Sequence, residues 1–168
     1  MQRHLLILSS LAVLAQPASA QSSDARADLA TIRTCLADQV DDPGSCIGTV
    51  ANPCQDAPGG ASTIGIDTCL GRETAVWDTL LNNSYKIAVA SAETMDERRA
   101  SDGIYEPGVA AALVKAQRAW IAYRDAECDR RYELFKEGTI RTNITSDCML
   151  ELTAQRATDF RGEEKQDR

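Results

Sequence analysis

Apolar residues recur at helical spacing in four stretches of the chain. In residues 24–40, Leu29, Ile32, Leu36 and Val40 fall three and four apart, as one face of a helix requires. Asp41-Asp42-Pro43-Gly44 ends that run. Residues 45–52 allow one short helical turn, and Asn52-Pro53 and Pro58-Gly59-Gly60 then mark a loop. A long helix is expected from about Asp67 to Arg99, capped by Asp67 or Thr68. Its stripe is Leu70, Trp77, Leu81, Ala88 and Met95, broadened by Leu80 and Ile87. Ser101-Asp102-Gly103 and Pro107-Gly108 break the pattern. The next helix is expected over Val109 to Glu137, with Leu113, Ala116, Trp120, Tyr123, Leu134 and Phe135 supplying apolar contacts and Gly138 stopping it. A loop over 138–147 leads to a last helix, from Ser146 or Asp147 to Arg161, whose buried side includes Met149, Leu152 and Phe160. Residues 162–168 form a polar tail. No stretch alternates at period two. The expected fold is all-α: an antiparallel bundle of three main helices plus an N-terminal helix.

The first twenty residues read differently. Arg3 and His4 make a basic head, Leu5 to Ala15 an apolar run, and Ala18-Ser19-Ala20 a small-x-small cleavage pattern. That is the layout of an export signal cut after Ala20. The run is too short to cross a bilayer, which takes about 20 apolar residues. No membrane insertion is expected, and the mature protein is placed in the periplasm or outside the cell. Cleavage removes one of 18 basic residues, none of 25 acidic residues and the only histidine, moving the formal net charge from -7 to -8. An acidic balance of this kind disfavours nucleic acid as a partner.

Export changes the meaning of the six cysteines, Cys35, Cys46, Cys54, Cys69, Cys128 and Cys148. None forms the C-x-x-C of redox proteins, and the close Cys or His pairs of zinc sites are absent. An even count in an oxidising compartment points to disulfides. Six cysteines allow fifteen pairings, and the sequence leaves them open. Pairing neighbours along the chain closes the shortest loops, which favours Cys35–Cys46, Cys54–Cys69 and Cys128–Cys148. The expected domain layout is an export signal over 1–20, a helical extension over 21–53, a bundle over 54–161 and the tail.

The segment Ala116-Gln117-Arg118-Ala119-Trp120-Ile121-Ala122-Tyr123-Arg124-Asp125-Ala126-Glu127-Cys128 resembles the signature of the lysozyme-inhibitor LprI-like N-terminal domain family, small exported bacterial proteins. Cys69, Glu73, Trp77-Asp78, Leu81-Asn82 and Tyr85 resemble its earlier helix. Gly138-Thr139-Ile140 resembles its glycine turn, and Cys148, Thr153, Arg156 and Phe160 its closing helix. The resemblance covers about residues 54–161 and leaves 21–53 as an addition. It implies a helical, exported protein and, as partner, lysozyme or another exported protein. Asn82-Asn83-Ser84 and Asn143-Ile144-Thr145 match the glycosylation sequon, and in a chain of bacterial resemblance both are read as chance.

Catalytic constellations are poorly represented. Without histidine there is no Ser-His-Asp or Cys-His arrangement. No S-x-x-K motif or phosphate-binding glycine loop occurs, and no spacing singles out two carboxylates for glycoside hydrolysis. No cofactor, metal or enzymatic role is expected. Trp77 and Trp120 are expected in the core. Glu73, Asp78, Arg124, Asp125 and Arg156 are expected to join in an interhelical polar network, with Arg124 and Asp125 tying two helices by forked hydrogen bonds. The candidate partner-binding residues are Thr139, Arg141 and Thr142, on a loop tethered at both ends if Cys128 pairs with Cys148. There Arg141 would offer a cation to a partner's acidic groups.

Overall fold

A computed structural model describes residues 18–104 and 108–166, so most of the expected export segment, residues 1–17, lies outside the described residues. The elements are α1 (Ala18–Asp38), a single 3-10 turn (Pro43–Cys46), α2 (Ala51–Asp56), α3 (Thr63–Ser101), α4 (Val109–Leu134) and α5 (Arg141–Gln166). The cut expected after Ala20 falls in the first turn of α1. Among the described residues there is no strand.

The long helix begins one turn earlier than periodicity predicts. Ser62 is its cap, with the side-chain oxygen accepting from the Gly65 amide at 3.0 Å. Gly65 lets that start tuck under the preceding loop, because a Cβ there would lie 2.2 Å from the Gly59 carbonyl. At the other end of α3, Asp96 takes over a capping duty that Gly108, lacking a side chain, cannot perform. Its carboxylate accepts from the amides of Val109 at 2.7 Å and Ala110 at 3.0 Å. Those two hydrogen bonds hold the Asp96 carboxyl below its ordinary value and fasten the start of α4 to α3.

α3 and α5 form the principal packed pair, and α4 lies against both. The start of α5 meets the start of α3: Asn143 donates to the Thr63 carbonyl at 2.8 Å, and the Ser146 hydroxyl bonds to Asp67. α3 and α5 therefore run the same way and α4 runs against them, as short connections between successive helices require. The core holds Leu70, Val76, Trp77 and Leu81 of α3 with Leu150, Ala154, Ala157 and Phe160 of α5, closed over by Ile32 and Leu36 of α1. All three disulfides join the expected partners, Cys35–Cys46, Cys54–Cys69 and Cys128–Cys148, with Cα separations of 5.6–5.8 Å.

Several helical faces depart from the sequence expectation: Val40 lies past the end of α1 and is exposed, Ile87 is exposed on α3, and Ala116 is exposed on α4. On α4, Tyr123, Leu134 and Phe135 face solvent, while Leu113 and Trp120 pack on the core. The inward stripe is Leu113, Gln117, Trp120, Arg124, Cys128 and Arg131, at spacings of three and four. Half of it is polar, so a reading by hydropathy assigns the wrong residues. On α5, Leu150, Thr153, Ala154 and Ala157 are buried with Phe160, whereas Met149 and Leu152 are only partly covered. The helix also continues to Gln166, through most of the expected tail.

Candidate functional site

Glu73 is fully buried, and both its oxygens are occupied. Oε1 accepts from the Gly48 amide at 2.7 Å and from the Trp77 indole at 2.9 Å. Oε2 accepts from the amides of Val50 at 2.9 Å and Ala51 at 2.6 Å. The turn that offers these amides needs Gly48, whose φ of +93° suits glycine, and a Cβ would also strike the Asn52 side chain. A carboxylate taken from water is tolerable only with such a complete set of donors. Glu73 thus fixes the turn at 47–51 against α3, and Trp77 gains the partner its N–H requires. With no exposed surface and four donors, Glu73 is not placed to exchange a proton with a substrate.

The predicted polar network is replaced by separate local contacts. Glu73 turns toward residues 48–51. Asp78 accepts from Asn82 on its own helix. Arg124 donates to its immediate neighbour Asp125 at 2.8 and 3.0 Å, so this pair does not bridge helices. Arg156 alone crosses, donating to Gln117 Oε1 at 3.1 Å. Its guanidinium lies 4.3 Å from the Phe160 ring centre, and both Arg124 and Arg156 lie over Trp120. The reason is geometric: Asp125 is one residue off the inward stripe and points to water.

Ion pairs that sequence reasoning missed do the tying. Asp28 grips Arg72 through two bonds of 2.5 and 2.6 Å, joining α1 to α3. The hydrogen bonds that Arg72 donates to Asp28 raise the Arg72 pKa. Glu127 accepts from Arg130 and Arg131, and Arg131 reaches Glu151 at 3.0 Å, joining α4 to α5. The Arg130 and Arg131 hydrogen bonds hold the Glu127 carboxyl down at about 2. Asp28 had a readable signal: with Ile32 and Leu36 it lies on one face at a spacing of four. A carboxylate on an apolar face needs a partner.

The corner between α4 and α5 is shorter than the expected loop. α5 starts at Arg141, so Thr142 is already in its first turn. Arg141 is not held out as a free cation. Its Nε donates to the Tyr132 hydroxyl at 3.0 Å, and Nη1 donates to the carbonyls of Lys136 at 3.2 Å and Gly138 at 2.9 Å. Carbonyls of the turn just past α4 attract a guanidinium close by in sequence. Arg141 therefore shapes the corner, while Thr139 and Thr142 are exposed on it. Cys128–Cys148 spans the base of this connection. Asn143 is buried and committed to Thr63, which leaves its sequon no accessible amide.

The corner and the 47–51 turn flank one groove of about 390 Å³, with Ile47, Ile66, Leu70, Ile140, Ile144 and Leu150 among its lining residues. Among the described residues no cluster of His, Cys, Asp and Glu suits a metal ion. No helix there is long and apolar enough to cross a membrane.

Fold and site together define a small helical scaffold locked by three disulfides, with the buried Glu73, Gln117 and Asn143 spent on internal bonds. The chain belongs to the lysozyme inhibitor LprI family, whose profile matches residues 54–160. An uncharacterised protein of Rhizobium meliloti (strain 1021) is 29% identical over 119 residues, covering 69% of this chain and 86% of that one. No solved structure matches the chain.

Proposed function

We propose that this chain is an exported inhibitor that binds lysozyme and blocks it by surface contact rather than by chemistry. Family membership over residues 54–160 is the observation that carries the reading. The three disulfides and the acidic balance support it. Disulfides suit an oxidising compartment, and an acidic protein is steered toward a cationic lysozyme. In this reading Ala20 precedes the mature N-terminus. Thr139, Arg141 and Thr142 belong to the contact surface, the threonines by touching the partner and Arg141 by holding the corner in shape. A tethered corner loses little freedom on binding, so less of the contact energy is spent on ordering it.

The test is a lysozyme turbidity assay with the purified mature protein. Dose-dependent protection of the cell-wall substrate is the expected result; none at stoichiometric excess sinks the reading. Calorimetric titration at low and moderate salt separates specific binding from diffuse attraction, which disappears at moderate salt. Arg141→Ala and Arg141→Glu are expected to weaken inhibition by roughly three- to tenfold, in line with loss of a positioning contact. Equal inhibition by both variants removes the corner from the proposal.

A further inference from the structure

The α4–α5 corner exposes three large apolar side chains. Leu134 ends α4, Phe135 caps it and Ile140 precedes α5, and these side chains are 65%, 44% and 51% exposed. Ile140 also lines the groove shared with the 47–51 turn. At the same groove stands Asp147, an exposed carboxylate with no ion pair among the described residues. Partial burial and the nearby Glu151 push its carboxyl up, against the pull of Arg131, which lowers it. The surrounding cations are already taken: Lys136 pairs with Glu133 at 2.7 Å, Arg131 with Glu127 and Glu151, and Arg141 with Tyr132 and two carbonyls. Glu137, two positions after Phe135, is exposed and in no ion pair among the described residues.

We propose that this groove receives a basic side chain of lysozyme, its carbon stem lying along Ile140 and Ile144 and its charge meeting Asp147. Leu134 and Phe135 form the apolar contact next to it. The inference rests on the lysozyme reading above and adds its polarity: the inhibitor supplies the acid and the enzyme the base. The chemistry fits long cationic side chains, which bury their stems against apolar surface while the head seeks an anion. An apolar centre within a charged rim is the usual anatomy of a protein contact. The acidic excess of the whole chain favours the same cationic partner.

The experiment is calorimetric titration of lysozyme into the mature, oxidised chain and three variants: Asp147→Asn, Asp147→Lys, and Phe135→Ser with Ile140→Ser. Thermal melting checks that each variant is folded, and all three sites are exposed enough for melting to stay near that of the wild type. Asp147→Asn is expected to weaken binding about fivefold, and Asp147→Lys and the double variant about tenfold or more. If all three bind within about twofold of the wild type, the groove is not the contact and the inference falls alone. If the wild type does not bind lysozyme, the proposed function falls first and takes the inference with it. Sedimentation at rising concentration supplies the last arm. A wild-type dimer that the double variant abolishes would assign the corner to a second copy and overturn the proposal.

Discussion

Two connections meet at one end of this bundle, and they are built in opposite ways. The 47–51 turn points its amides inward, where Glu73 and the Trp77 side chain complete a closed set of hydrogen bonds. The 135–140 corner points its carbonyls inward, to Arg141, and leaves Phe135 and Ile140 in solvent. The first satisfies a buried charge and has nothing left over for a partner. The second is equally fastened but leaves apolar surface unspent. One groove lies between them, so a rigid wall faces a wall available for contact. Glu73 lies inside the family match over residues 54–160, whereas its three backbone donors precede it. In this chain residues 48–51 complete the surroundings of Glu73.

Breaking the inward turn is expected to do the most damage. Glu73→Gln can satisfy only one pair of donors and turns an NH₂ toward the other, at a cost of about 3 kcal/mol in urea unfolding. A loss under about 1 kcal/mol would mean that the turn is not held by the carboxylate. Opening the corner is next. Cys128→Ser with Cys148→Ser removes a link across a sequence separation of 20, and the chain-entropy model gives slightly more than about 3 kcal/mol. Inhibition is expected to fall more than stability explains, since the corner loses its tether; unchanged inhibition by the folded variant would show that the tether is only structural.

The ion pairs are smaller matters. Asp28→Asn loosens α1 from α3, and because the Arg72 side chain is 43% exposed the pair is screened. About 1 kcal/mol or less is expected at neutral pH, shrinking in high salt. The Glu127 carboxyl sits lower folded than unfolded, so its contribution is complete above its ordinary value of 4.5 and is lost as pH falls toward about 2. Glu127→Gln is expected to lower stability at neutral pH and to flatten the acid side of the stability–pH curve in that window, so that the two proteins converge as pH falls toward about 2. An identical acid limb in both proteins would contradict the pairing.

Much of the fold was legible because the bundle obeys simple periodicity. Ile32, Leu36, Leu70, Trp77, Leu81 and Phe160 lie where three-and-four spacing places them. The disulfides followed from export and short loops. What was not legible came from polar groups facing inward. Gln117 and Arg124 occupy the inner stripe of α4, so Tyr123 and Leu134 were wrongly assigned to the core. Glu73 was marked, yet its donors are backbone amides, which carry no side-chain signature. Arg141 was marked as a free cation because residues 138–147 read as loop; its acceptors are main-chain carbonyls, equally silent in sequence. The loop expected over 138–147 lies instead at 135–140, and the Arg141 cation expected to face a partner is bonded to main-chain carbonyls.

The most direct test is hydrogen exchange on the mature protein with and without lysozyme. The amides of Gly48, Val50 and Ala51 should exchange slowly in the free chain and stay unchanged, while residues 135–144 gain protection on adding lysozyme. Fast exchange at 48–51, or protection that appears along α1 and bypasses the corner, would contradict this account.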